Sequence, residues 1–173
     1  MAIYALGDKV PVIHPQAFVH PEAVIIGDVS IGKLSSIWPC AVLRADSNRI
    51  VIGERTSIQD GAIVHCTSEL PTIIGSDCTI GHNAHLEGCT VHDGALVGSG
   101  SLVLHKVVVE TGALVAAGAV CTTGLHVPAR ALAVGVPARV KLDAADQASI
   151  SYSQQTYSSN AQYYPLNMRR IDL

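Results

Sequence analysis

Aliphatic residues recur along this chain with a period of six. From Val19 they fall at Ile25, Ile31, Ile37 and Leu43, resume at Ile52, Ile58 and Val64, and resume again at Ile74, Ile80 and Leu86. One residue is then dropped, and the series continues through Val91, Val97, Val103, Val109, Val115 and Cys121. Small residues such as Ala23, Ser35, Ala62, Ala84 and Ala113 stand two places before it, and glycine often follows it, as at Gly32, Gly53, Gly75, Gly81 and Gly98. A period of six fits neither the 3.6 of a helix nor the simple alternation of long strands. It is the signature of a parallel β-helix, in which each hexapeptide is one short strand and a corner. Three hexapeptides make a triangular coil, so residues 12–138 hold about seven coils. The aliphatic residue points inward and its two neighbours outward, because side chains alternate along a strand. The period breaks at Ser47–Arg49 and between Cys66 and Thr72, where loops are expected at corners.

The pattern stops near Leu142. Asp143 is a plausible N-cap for the segment that follows, which reads as a helix ending or kinking near Pro165. Its many Ser and Tyr residues make it a weak helix alone, so it must pack on the β-helix or on a neighbouring subunit. The expected organisation is an all-β hexapeptide-repeat domain over 1–141 and a C-terminal α-helix within 142–173.

Composition agrees with this picture. Of 173 residues, 49% are hydrophobic, 14% charged and 4% aromatic, so the core must be built from Val, Ile, Leu and Ala. The low charge excludes a disordered chain. No apolar run approaches the ~18 residues of a membrane span. A net charge of −3 without a basic stripe argues against nucleic acid. Five scattered cysteines without a CxxC fit reduced thiols in a cytoplasmic protein, and MAIYALGDKVPVIHP does not read as a signal peptide.

The register places the chemistry. Arg44, His65 and Glu87 each follow an inward residue on strands three apart, so they form an outward ladder on one face. Asp60 and His82 stack in the same way on another face, with Gln59 beside them. His65 and Glu87 can therefore meet each other, but not His82 of their own copy. A three-fold axis sets one subunit's face against a different face of the next, which predicts a homotrimer with its sites at the interfaces. Two imidazoles and a carboxylate are an accepted zinc set, leaving a fourth position for water. Gln59 and Asp60 would orient ligands or substrate. His14, His20, His92 and His126 read as surface residues, and His105 stays unassigned.

These residues lie in blocks that resemble the gamma-class carbonic anhydrase family of left-handed β-helix proteins. The blocks are SIWPCAVLRAD (36–46), IGERTSIQDGAIVH (52–65), GHNAHLEGCTV (81–91), GVPAR (135–139) and YSSNAQYYPLNMRRI (157–171). The resemblance implies a left-handed helix, a homotrimer, and reversible hydration of CO2 to bicarbonate by water activated on a metal, Zn2+ with Fe2+ or Co2+ as alternatives. It carries the first two ligands onto His65 and His82, the Gln-Asp pair onto Gln59 and Asp60, subunit joining onto Arg44 and Asp46, and an active-site tyrosine onto Tyr157. The family pattern reads Gly-His-x4-His, and this chain has Glu87 at the last position. Glu87 is favoured as third ligand on its frame position, with His85, which also points outward, as the alternative. Two other functions stay open: a hexapeptide acyltransferase or thioesterase acting on acyl-CoA, and a non-catalytic trimeric scaffold.

Overall fold

The computed structural model describes residues 2–172, which form twenty short strands and one helix wound as a parallel β-solenoid of about seven turns. This is the left-handed β-helix of hexapeptide repeats expected from the period. Strands stack in register from coil to coil, for instance Ile37 on Ile58 and Ile58 on Ile80. Each inward column is an unbroken stack of apolar side chains. The column Ile25, Leu43, Val64, Leu86, Val103 and Cys121 is 0% exposed throughout. Aromatic side chains are scarce because a triangular lumen of this size is filled by Ile, Leu, Val and Ala from three sides.

Corners set the local chemistry of the repeat. Glycine is required where backbones stack closely: a Cβ on Gly32 would stand 2.4 Å from the Gly53 carbonyl oxygen, and one on Gly53 would stand 2.5 Å from the Gly75 carbonyl carbon. The last coil is closed by Arg139–Lys141, which pairs antiparallel with Leu132–Val134.

Two expectations are corrected. The extra residues 47–49 are not looped out. The strand Val42–Ile52 runs through them, and the pairing with Val24–Ile31 shifts register between Gly27 and Val29, which absorbs the surplus as a bulge. The second insertion does form a loop, over 67–71. The helix runs Gln147–Asn167, and its N-cap is Asp146, whose carboxylate accepts from the Ala148 and Ser149 amides. Asp143 instead holds a left-handed φ of 49° before the helix begins. Pro165 lies inside the final turn, and the helix ends two residues past it at Asn167, near the expected place.

The helix packs on its own solenoid, against the strands Phe18–Val19, Ser36–Ile37, Ser57–Ile58 and Thr79–Ile80. Its propensity is weak, so tertiary anchors hold it. Ile150 is buried, Gln147 Nε2 donates to the Gly112 carbonyl at 2.9 Å, and Gln154 Nε2 donates to the Asp77 carbonyl at 2.5 Å. Further along, Tyr157 and Tyr164 meet Trp38 edge-on at 5.5 and 4.9 Å, and Phe18 completes the cluster at 5.3 Å from Trp38. The indole N–H is shared between Ser36 Oγ (3.0 Å) and Ser57 Oγ (3.1 Å).

Candidate metal centre

The ladder on the first face forms as its register requires. Arg44 pairs with His65, and His65 with Glu87, in successive strands. The three side chains stand outward because Leu43, Val64 and Leu86 occupy the alternating inward positions. Within the ladder, His65 Nδ1 lies 3.0 Å from Glu87 Oε1, and His65 Nε2 lies 3.1 Å from Asp46 Oδ1. Arg44 pairs with the other oxygen of Asp46. Partial burial pushes both carboxyls up, but the His65 hydrogen bonds and nearby positive charge outweigh it. Both groups are therefore held below the usual carboxylate range, Asp46 with help from Arg44 and Glu87 with help from His85 and His105.

Two more imidazoles approach Glu87. His85 Nε2 is 3.4 Å from Oε2, and His105 Nε2 is 3.6 Å from Oε1. His105 was left unassigned by sequence reasoning. His105 stands two places past inward Val103, at the corner of its own hexapeptide, and stacks over Gly88. The signal available was Gly88 itself, whose φ of +61° and missing side chain leave room for the ring.

The second face carries Asp60 and His82, one coil apart at the same corner. His82 Nδ1 lies 3.0 Å from Asp60 Oδ2, while the Tyr157 hydroxyl lies 3.1 Å from His82 Nε2. Burial, then the negative charge of Asp60, pushes the Tyr157 hydroxyl above its usual pKa, so it stays a neutral donor. Gln59, one coil above Trp38, is only 4% exposed in a single copy. The remaining histidines have local roles: His14 and His20 accept from the amides of Gln16 and Glu22, and His92 and His126 both face Glu110.

The two half-sites stay apart in one chain. Among the described residues no three His, Cys, Asp or Glu side chains of one copy are grouped to hold a metal ion. Each half nevertheless has donor chemistry that fits one. Asp46 can accept the proton on His65 Nε2, which leaves the Nδ1 lone pair toward Glu87. Asp60 can accept the proton on His82 Nδ1, which leaves the Nε2 lone pair facing the Tyr157 hydroxyl, a donor that an ion bound at Nε2 would displace. A carboxylate behind each imidazole is the arrangement that fixes the tautomer of a metal-binding histidine. His65 Nδ1 and Glu87 Oε1 lie 3.0 Å apart, a few tenths of an ångström closer than the ~3.4 Å of two donors on one tetrahedral ion with bonds of about 2.1 Å, so the pair would open slightly around an ion.

Comparison with known proteins gives the same direction. The family model "Bacterial transferase hexapeptide (six repeats)" matches residues 11–45 and 71–104. The mitochondrial gamma carbonic anhydrase 1 of Arabidopsis thaliana is 45% identical over 175 aligned positions, which cover 93% of this chain and 64% of that protein. The chain thus spans just under two thirds of that relative's length. The carnitine operon protein CaiE of Salmonella agona is 42% identical, over 85% of this chain and 74% of its own. A solved structure of a putative acetyltransferase from Bacillus cereus superposes with a TM-score of 0.93 at 34% identity, covering 96% of this chain and 98% of the other.

Proposed function

This chain belongs to the gamma-class carbonic anhydrase family of hexapeptide-repeat proteins, and from that premise we propose that it catalyses the reversible hydration of CO2 at a metal shared between two copies of a homotrimer. His65 and Glu87 of one subunit and the partner subunit's His82 would hold the ion. Zinc, ferrous iron and cobalt all accept this donor set. When bound, the ion supplies the Lewis acidity that activates water toward the carbon of CO2. The observation that carries the reading is the division of the site: two carboxylate-backed imidazoles stand on different faces of one prism and cannot converge within a copy.

The chain's own groups have definite tasks. Asp46 and Asp60 fix the tautomers of His65 and His82. Tyr157 keeps its proton on the hydroxyl beside His82 Nε2, and an ion bound at that nitrogen would take its place on the lone pair and free the hydroxyl toward the substrate. Gln59, sheltered beside Asp60, offers an amide to orient an oxygen of the substrate. Arg44 and Asp46 would join subunits. Glu87 places a negative charge where the family pattern has a neutral imidazole, which weakens the ion as a Lewis acid and slows hydration at neutral pH. The buried, unpaired thiols of Cys66, Cys78, Cys89 and Cys121 suit a reducing compartment such as the cytoplasm.

The test is stopped-flow proton release from CO2 with zinc-loaded and iron-loaded protein. The reading expects a rate above background that disappears in His65→Ala and His82→Ala. A background rate in a sample with a full complement of metal would refute it. A second reading, acyl transfer from acyl-CoA, is favoured by the resemblance to the putative acetyltransferase. Calorimetric binding of acetyl-CoA to this protein would support that reading, and its absence would remove it.

A further inference from the structure

Resting on the assignment of Glu87 as a metal ligand, we propose that His85 and His105 are positioning residues that hold its carboxylate in the ligating orientation. A glutamate has one more side-chain torsion than a histidine and loses more rotamer freedom when fixed. A carboxylate standing in for an imidazole therefore gains from external supports. This chain supplies two of them: His105 Nε2 at 3.6 Å from Oε1, and His85 Nε2 at 3.4 Å from Oε2.

Packing gives neither histidine another reason for its place. His85 interrupts an outward column that is otherwise apolar. Its register neighbours are Ile63 and Leu102, which pair in turn with Val42 and Val120. An aliphatic residue would continue that column. The imidazole breaks it, and its Nε2 approaches the carboxylate two residues along the same strand. Glycine at 88 gives the His105 ring room beside Glu87: a Cβ there would crowd it, standing 3.3 Å from His105 Cδ2 and 3.0 Å from Leu70 Cβ. Both histidines remain partly open to solvent, at 32% and 43% of their side chains, and among the described residues neither has another acidic partner. His85 donates a hydrogen bond to Oε2, while His105, too far for a good one, limits the swing of Oε1 by contact and charge.

The experiment is zinc affinity and stoichiometry of the full chain, read by competition with a chromophoric chelator. Oligomer size and far-UV circular dichroism would confirm that each variant folds. His85→Ala should weaken zinc binding about 10–100-fold, as loss of a ligand's support typically does, and His105→Ala should fall near the lower end of that range. His85→Gln, which keeps an N–H donor, should recover most of the loss. In a Glu87→His background, with no carboxylate to support, His85→Ala should change affinity by less than about threefold, against the 10–100-fold loss in the native chain. An unchanged affinity for His85→Ala overturns the proposal, as does an equal loss in both backgrounds. So does loss of zinc in both His85 variants while Glu87→Gln retains it, since that would make His85 the ligand. Wild-type protein that binds no zinc overturns the metal-site reading together with this one. Wild-type binding with an unmoved His85→Ala overturns this one alone.

Discussion

Trp38→Ala should release one half of the C-terminal helix and leave the other half docked. Trp38, the only tryptophan, is 4% exposed and sits between the solenoid and the helix. It meets Tyr157 and Tyr164 at 5.5 and 4.9 Å with near-perpendicular rings. Edge-on aromatic contacts add roughly 0.5–1.5 kcal/mol each beyond their buried area, so the two that bridge to the helix supply about 1–3 kcal/mol. Removing the whole buried indole costs about 3–5 kcal/mol. The helix N-terminal half relies on other anchors: the Asp146 cap, the Gln147 and Gln154 bonds to backbone carbonyls, and Ile150. Hydrogen–deuterium exchange resolved along the helix separates the two halves. A loss of about 3 kcal/mol predicts exchange about 100-fold faster after Tyr157, with the segment 147–154 nearly unchanged. Equal acceleration along the entire helix, or none, would refute the division of anchors described here. The functional link is Tyr157, which would lose its seat on His82 in the same variant.

Three further outcomes follow from the same geometry. Asp60→Asn keeps the shape of the side chain but weakens the hydrogen bond that sets the His82 tautomer. It should lower zinc affinity about tenfold, and its half-exposed position should keep the unfolding midpoint within about 0.5 kcal/mol; unchanged affinity would contradict the orienting role. Among the five cysteines only Cys40 is exposed, so one thiol should react with a disulfide reagent in native protein. Burial pushes Cys78 and Cys89 up to about 12 and Cys121 up to about 11 from an ordinary 9.0. Raised folded-state values mean that the thiol contribution to stability is full below about pH 9 and is lost as pH climbs toward 12. Denaturation midpoints should stay flat with respect to these groups up to pH 9 and fall above it, less steeply in Cys78→Ala. Release of several thiols at pH 8 would contradict this.

The solenoid was legible in the sequence because its repeat is enforced by steric rules at every coil. Leu43, Val64 and Leu86 had to face inward, which put Arg44, His65 and Glu87 on one outward ladder, and the pairing shows them there. The stacking of Asp60 beneath His82 followed from the same counting. Departures from the repeat were harder to read. Residues 47–49 look like an excised loop in the sequence, yet an 11-residue strand takes them up as a bulge, because backbone pairing on either side continues. Asp143 reads as the cap in the sequence, yet the backbone puts the cap at Asp146: Asp143 is left-handed, and Asp146 has the extended geometry a cap needs. His105 escaped assignment because it stands at a corner, two places past inward Val103, and so outside the outward ladder that follows each inward residue. The pairing of Tyr157 with His82 depends on how the helix lies across the sheet, which no periodicity in the chain encodes.

The central claim is that each site is completed by two copies, and mixing subunits tests it most directly. His65→Ala and His82→Ala chains would each be purified, unfolded, and refolded either separately or together, with bound zinc counted per oligomer. Each variant alone should bind no zinc, because every interface lacks one ligand. Mixed oligomers should regain zinc, since an interface that pairs the intact His65 of one chain with the intact His82 of the other is whole. Full zinc occupancy in His82→Ala alone, or failure of the mixture to recover any, would contradict a metal centre shared between subunits.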